Sequence, residues 1–166
     1  MARDVISDAS PLIGLAIVDG LAWLPALFTE VWIPPSVQRE VLPGVGARGE
    51  PENAEAIVRN AIRVWTQPIP EPSLPIPDLD EGETDCMRLA LAMGPGNATL
   101  IIDERASRAV ATELGIRITG TAAVIGLAKQ RGLVDSAKAQ FERLHATDFR
   151  VSVAVIQATL RAVREL

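Results

Sequence analysis

Val5-Ile6-Ser7-Asp8 is an apolar run that ends in an acid and passes at once into the helix-like segment Ala9-Ser10-Pro11-Leu12. Leu100-Ile101-Ile102-Asp103, followed by Glu104 and another helix-like segment, repeats the pattern much later in the chain. A short apolar run with a helix directly behind it suits a strand buried on both faces, as in parallel α/β sheets. In open sheets of that kind ligands bind outside the carboxyl ends of the strands. Asp8 and Asp103 are therefore candidates for one functional site at the mouth of a sheet.

Outward from these two runs, the same alternation continues. Strands are expected over 4–8, 31–33, 62–65, 99–102 and 116–118. Ser10 and Pro11 are read as the cap and first position of a helix, and a helical stretch continues over 19–27 after a break near Gly20. Further helices are expected over 36–42, 52–61, 81–93, 104–114, 121–131, 136–145 and 153–165. Residues 43–51 read as a Gly- and Pro-rich loop, and residues 68–78, with five prolines, cannot be regular structure. The βα alternation predicts an α/β fold, a three-layer α/β/α sandwich with a mostly parallel central sheet. Neither half of the chain has enough strands to close a sheet, so residues 1–166 are expected to form a single domain.

The chain has 166 residues, 48% of them hydrophobic, which is enough for a sizeable core. A formal net charge of −5 argues against a protein that coats nucleic acid electrostatically, since such binding rests on many Lys and Arg contacts to phosphate. It leaves room for an enzyme that works on RNA through a small basic rim and a metal. Arg39, Arg48, Arg105, Arg108, Lys129 and Arg131 are the rim candidates, although a solvated helix face accounts for most of them. The lone Cys86 excludes an internal disulfide framework and reads as a small core residue. The first apolar stretch is interrupted by Asp8, Ser10 and Pro11, so it is neither a signal peptide nor a membrane span, and a cytoplasmic location is expected.

Two helix-borne acids join the aspartates. Asp80 followed three residues later by Glu83 is a capping-box arrangement, which explains Glu83 as a purely structural residue. Helix phase argues for more, because Glu83 shares a face with Met87, Ala90 and Leu91, and an acid on a core-facing stripe needs a compensating partner. Glu40 lies at the edge of the apolar face formed with Val37 and Val41, and a solvated Glu beside Arg39 is its other reading. Asp103 also reads as the cap of the helix beginning at Glu104, and Asp8 as a turn residue. Neither of those readings explains why both strands end alike.

Carboxylates brought close together destabilise one another unless something positive sits among them. The fitting counter-charge is a hard divalent ion, Mg²⁺ or Mn²⁺. The chain offers no His or Cys cluster for zinc. An acidic site of this type suits phosphodiester hydrolysis, and a nuclease is the leading class.

Taken in order, several segments resemble the PIN domain family of metal-dependent ribonucleases, and more narrowly its VapC-like toxin branch. They are Ser7-Asp8-Ala9-Ser10-Pro11-Leu12-Ile13, Ile33-Pro34-Pro35-Ser36-Val37-Gln38-Arg39-Glu40-Val41, Leu79-Asp80-Glu81-Gly82-Glu83, Leu100-Ile101-Ile102-Asp103-Glu104 and Gly120-Thr121-Ala122 onward to Gly132-Leu133. The resemblance implies a Mg²⁺ or Mn²⁺ site, endoribonuclease activity on an RNA substrate, and a cognate antitoxin protein that blocks the site; a homodimer with no membrane association is expected beside it. It implies catalytic roles for Asp8, Glu40, Glu83 and Asp103, with Asp8, Asp103 and Glu83 as metal ligands. Ser10 would orient Asp8 or a water on the metal, and Glu104 would support the cluster from outside. Many members carry a further acid beyond the fourth strand, where this chain has Thr119-Gly120-Thr121; the two threonine hydroxyls are the supporting groups expected there.

Other features read as structural. His145 is placed on a late helix as a surface or interface residue, and Trp23, Trp32 and Trp65 as core or dimer-seam residues rather than base-stacking ones. Gly94-Pro95-Gly96-Asn97 is a turn without the strand-before, helix-after setting of a nucleotide loop. Val153, Ile156, Leu160 and Val163 form one stripe that packs the closing helix at home. Against the nuclease stands a PIN-like interaction module with weak or absent turnover. A phosphatase is disfavoured because Asp8-Ala9-Ser10-Pro11 offers no glycine-rich phosphate cradle.

Overall fold

Val5 and Ile6 point to opposite faces of their strand and both are fully buried, so the sheet around them is covered on two sides. The computed structural model describes residues 3–47, 62–73 and 75–166. Strand β1 (Asp4–Ser7) lies between β2 (Val31–Ile33) and β4 (Ala98–Ile101), with β3 (Arg63–Val64) and β5 (Arg117–Thr119) outermost. The order is β3-β2-β1-β4-β5 and every pairing is parallel.

Parallel neighbours need crossover connections, and here helices supply them. Among the described residues these are α1 (Ala9–Ile17), α2 (Trp23–Leu27), α3 (Pro35–Ala47), α4 (Glu81–Met93), α5 (Arg105–Glu113), α6 (Thr121–Gln130), α7 (Ala137–His145) and α8 (Val153–Ala162). The architecture is the expected three-layer α/β/α sandwich, with an all-parallel sheet. Leu12 and Leu15 of α1, Val37 and Val41 of α3, Met87 and Leu89 of α4, and Ile125 of α6 are fully buried against it. The chain runs from β1 outward to β2 and β3, then returns to the other side of β1 for β4. That reversal between β1 and β4 is the place where open α/β sheets form a crevice.

Register places the two candidate aspartates there. Ser7 pairs with Ile101, and the Asp8 N–H donates to the Ile101 carbonyl at 3.0 Å, so Asp8 and Asp103 leave adjacent strands at the same edge.

Three local expectations are corrected. The cap position of α1 is Asp8, with φ −73° and ψ 169°, rather than Ser10, and Pro11 is the third helical residue. A proline is tolerated there because N–H groups of the first turn have no partner within the helix. The cap of α5 is Glu104, not Asp103. Helix α3 runs through Pro43 to Ala47, beyond the expected end at Leu42, since a proline removes one backbone hydrogen bond without having to stop the helix. Residues 48–51 of the expected loop, Arg48 among them, and the helix expected over 52–61 lie outside the described residues.

Residues 68–78 carry no helix or strand where described, as their prolines dictate. Trp23 belongs to the core, whereas Trp32 and Trp65 meet edge to face at 5.2 Å beside the outer strand β3. Helix α8 lies against α6, where Thr159 and Val163 approach Gly126. No helix among the described residues is long and apolar enough to cross a membrane.

Candidate active site

Five parts of the chain deliver acids to one cleft of about 460 Å³ at the carboxyl edge of the sheet, Asp148 coming from the turn between α7 and α8. Asp8 comes from the β1–α1 junction, Glu40 from α3, Asp80 and Glu83 from the start of α4, and Asp103 with Glu104 from the β4–α5 junction. Ser10, Asp148, Phe149 and Arg150 complete the lining. The structure thus brings together Asp8, Glu40, Glu83 and Asp103, along with Ser10 and Glu104.

Asp8 is buried, and its side chain makes no capping bond to α1 although it occupies the cap position. Its carboxyl is pushed up to about 7. Burial is the largest cause, the Ala9 backbone N–H opposes it, and the charges of Asp80, Glu83 and Glu40 add to it. Glu40, although exposed, is also raised, by partial burial and then by Asp80 and Glu83. Gly82 lies beside both acids: a Cβ there would be in ordinary contact with Asp8 Oδ1 at 3.4 Å and Glu40 Oε2 at 3.5 Å.

Glu83 satisfies both of its readings. The Asp80 Oδ1 accepts its backbone N–H at 2.8 Å, and Glu83 Oε2 accepts the Asp80 N–H at 3.2 Å, which completes the capping box. The same residue is buried with Met87 and Ala90 on the inner face of α4. Its Oε1 makes no hydrogen bond among the described residues.

Asp103 is half-buried and bound to α6 rather than to the helix that follows it. The Thr121 N–H donates to Oδ1 at 2.9 Å and the Thr121 hydroxyl to Oδ2 at 2.6 Å. Thr121 is buried behind Asp103 and does not line the cleft. Thr119 ends β5 and is also outside the lining, where its carbonyl accepts the Ile102 N–H.

Of the basic candidates, Arg39 pairs with Glu81 at 3.0 Å in a hollow that adjoins the cleft at Glu40 and Asp80. Arg108 is turned inward to the Ile102 carbonyl at 2.8 Å, and Lys129 serves Glu165 and the Asp135 carbonyl. Arg105 and Arg131 are exposed outside the lining.

Sequence reasoning missed four residues of the cleft: Asp80, Asp148, Phe149 and Arg150. Asp80 was read only as a helix cap, although the i, i+3 spacing that pairs it with Glu83 also puts its charge beside that acid. Arg150 carries no local signal, since its place depends on how residues 147–151 pack back over α1.

Among the described residues, every charged group facing the cleft, apart from the Arg150 guanidinium, is a carboxylate, joined by the Ser10 hydroxyl. That donor chemistry fits a hard divalent cation. Among the described residues no group of three or more His, Cys, Asp or Glu side chains is placed to hold an ion directly. The fit is therefore to an ion such as Mg²⁺, which keeps several waters and takes only one or two carboxylates.

A family model described as a PIN domain matches residues 4–165, nearly the whole chain. No curated protein and no solved structure matches it.

Proposed function

The chain belongs to the PIN domain family, and on that premise we propose that it is a Mg²⁺- or Mn²⁺-dependent endoribonuclease that hydrolyses RNA phosphodiester bonds. The observation that carries this reading is the convergence of Asp8, Glu40, Glu83 and Asp103 from separate elements on one acidic cleft at the strand reversal.

Asp8, Glu83 and Asp103 would hold the ion, one or two of them directly and the remainder through water, with Ser10 and Glu104 around them. When bound, the ion supplies positive charge to a phosphoryl oxygen and acidifies a water. The raised carboxyl of Glu40 suits a group that takes a proton from the attacking water at Oε2. Thr121 keeps the Asp103 carboxylate turned in one direction throughout.

The finer reading is a VapC-like toxin of a type II pair, cytoplasmic and homodimeric, with a cognate antitoxin that covers the cleft. Its support is the resemblance of residues 7–13 and 33–41 to that branch. Co-purification with the product of an adjacent short reading frame is the check on it.

A weakly active or inactive interaction module is the second reading. It is favoured by the lack, among the described residues, of three side chains placed to hold an ion directly, and by the engagement of both Asp103 oxygens by Thr121. One experiment separates the two. Purified protein is incubated with single-stranded and structured RNA in Mg²⁺, in Mn²⁺ and with chelator. Cleavage that needs the metal and is lost in Asp8→Asn and Asp103→Asn supports the nuclease; no cleavage, with no Mn²⁺ binding at millimolar metal, supports the module.

A further inference from the structure

Among the described residues, seven carboxylates line a cleft that is to receive a polyanion, and the one cation lining it is Arg150. The bound ion offsets part of that repulsion at the reacting phosphate, but the flanking strand still has to lie along an acidic rim. A guanidinium suits that task, because its planar fork of N–H groups matches phosphate oxygens.

Arg150 sits in the turn between α7 and α8, and the turn is fixed at several points. The Phe149 ring rests directly on the α1 backbone at Gly14, where a Cβ would lie only 2.6 Å from Phe149 Cζ. The Thr147 hydroxyl donates to the Leu144 carbonyl at 2.6 Å and accepts the Phe149 N–H at 3.1 Å. His145 Nε2 accepts the Val151 N–H at 3.2 Å.

The guanidinium is held in turn. Its Nη1 donates to the backbone carbonyls of His145 at 3.3 Å and Phe149 at 3.2 Å, and to that of Thr147. Its Nε and Nη2 make no hydrogen bond among the described residues, and no carboxylate there stands within ion-pair distance. Arg39, by contrast, already pairs with Glu81. An exposed cation with one nitrogen fixed on carbonyls and the others open is set to receive an anion with little ordering cost.

We propose that Arg150 binds a backbone phosphate of the RNA strand next to the one that is cut, and that residues 147–151 form the scaffold that holds it at the cleft rim. This rests on the nuclease reading and adds the residue that grips the substrate.

The test is fluorescence anisotropy of a labelled single-stranded oligoribonucleotide in Ca²⁺ buffer, titrated at several salt concentrations. Arg150→Ala is expected to weaken binding about tenfold and to lower the slope of log K against log salt by about 0.7, the value for one phosphate contact to a single strand. Arg150→Lys is expected to restore the slope but not the full affinity, since a point charge replaces the fork. In Mg²⁺ turnover assays Arg150→Ala is expected to raise KM with little change in kcat. Gly14→Ala, which pushes Phe149 off α1, is expected to weaken binding although Arg150 is intact.

If the wild type binds RNA and Arg150→Ala binds it equally well with the same salt slope, the assignment of Arg150 is overturned while the nuclease reading stands. If the wild type neither binds nor cuts RNA, both are overturned.

Discussion

Thr121 grips both carboxylate oxygens of Asp103, one through its backbone N–H at 2.9 Å and the other through its hydroxyl at 2.6 Å. The acid that ends the β4 run is thereby fixed to the first residue of α6, three elements further along the chain. Thr121→Val keeps the side-chain volume and the backbone bond but removes the hydroxyl. A hydrogen bond to a charged group contributes roughly 1.5–3 kcal/mol, so urea unfolding should show a loss near the lower end of that range. Thr121→Ser should retain both stability and RNA cleavage, while Thr121→Val should lose cleavage as well. Equal cleavage by the two variants would mean that the orientation of Asp103 does not limit the reaction.

Gly120 makes room for the same carboxylate. Its φ of −141° is open to any residue, so alanine meets no backbone strain there. The new Cβ would instead lie 2.8 Å from Asp103 Oδ1 and 3.0 Å from Arg108 Nη1. Asp103 has to move. With Asp103 holding an ion as proposed, a displacement through its surroundings should cost about 10–100-fold in metal affinity, and calorimetric titration of Gly120→Ala with Mn²⁺ is expected to show a loss of about that size.

How much of this was legible in the sequence depends on whether the signal is local. Val5 to Asp8 and Leu100 to Asp103 declared buried strands ending in acids, because strands covered on both faces must be apolar throughout. Helix phase set Glu83 on the buried face of α4 correctly, since that periodicity needs only the next two turns. Asp80 was hidden behind a sufficient local explanation: a capping box accounts for it fully, and only the packing of α4 beside α3 and β1 shows its charge acting on Asp8 and Glu40. The binding of Asp103 to Thr121 and the seating of Phe149 on Gly14 join residues far apart in the chain, and no local pattern announces them. The caps of α1 and α5 were each misplaced by one or two residues, which is where propensity rules are weakest.

The Asp8 carboxyl carries a pH dependence whose sign follows from its raised value. In the unfolded chain it titrates near 3.8 and in the folded protein at about 7. Between those values the folded state holds the proton more tightly, so without metal the contribution of Asp8 to stability declines as pH rises through that window and then levels off. Asp8→Asn cannot ionise and should be more stable than the wild type above pH 7, by an amount on the order of 4 kcal/mol. On the metal-site proposal millimolar Mn²⁺ should reverse the order at pH 8, because an ion held by the folded wild type would add stability by mass action. Thermal unfolding of both proteins at several pH values, with and without Mn²⁺, checks this; parallel curves for the two would remove Asp8 from the charge cluster.

Asp80 separates a structural role from an electrostatic one within a single side chain. Asparagine caps a helix about as well as aspartate, so Asp80→Asn should keep an acceptor for the Glu83 N–H now bound at 2.8 Å. What it removes is a charge that raises the proton affinity of both Asp8 and Glu40. The metal-free variant should therefore be more stable than wild type near pH 8, bind Mn²⁺ less tightly, and reach half-maximal cleavage at a lower pH. Asp80→Ala loses the cap as well, at a cost of about 1 kcal/mol. Calorimetry and a pH–rate profile on the two variants decide the matter: if Asp80→Asn leaves the Mn²⁺ affinity and the profile unchanged, Asp80 is a helix cap that happens to face the cleft.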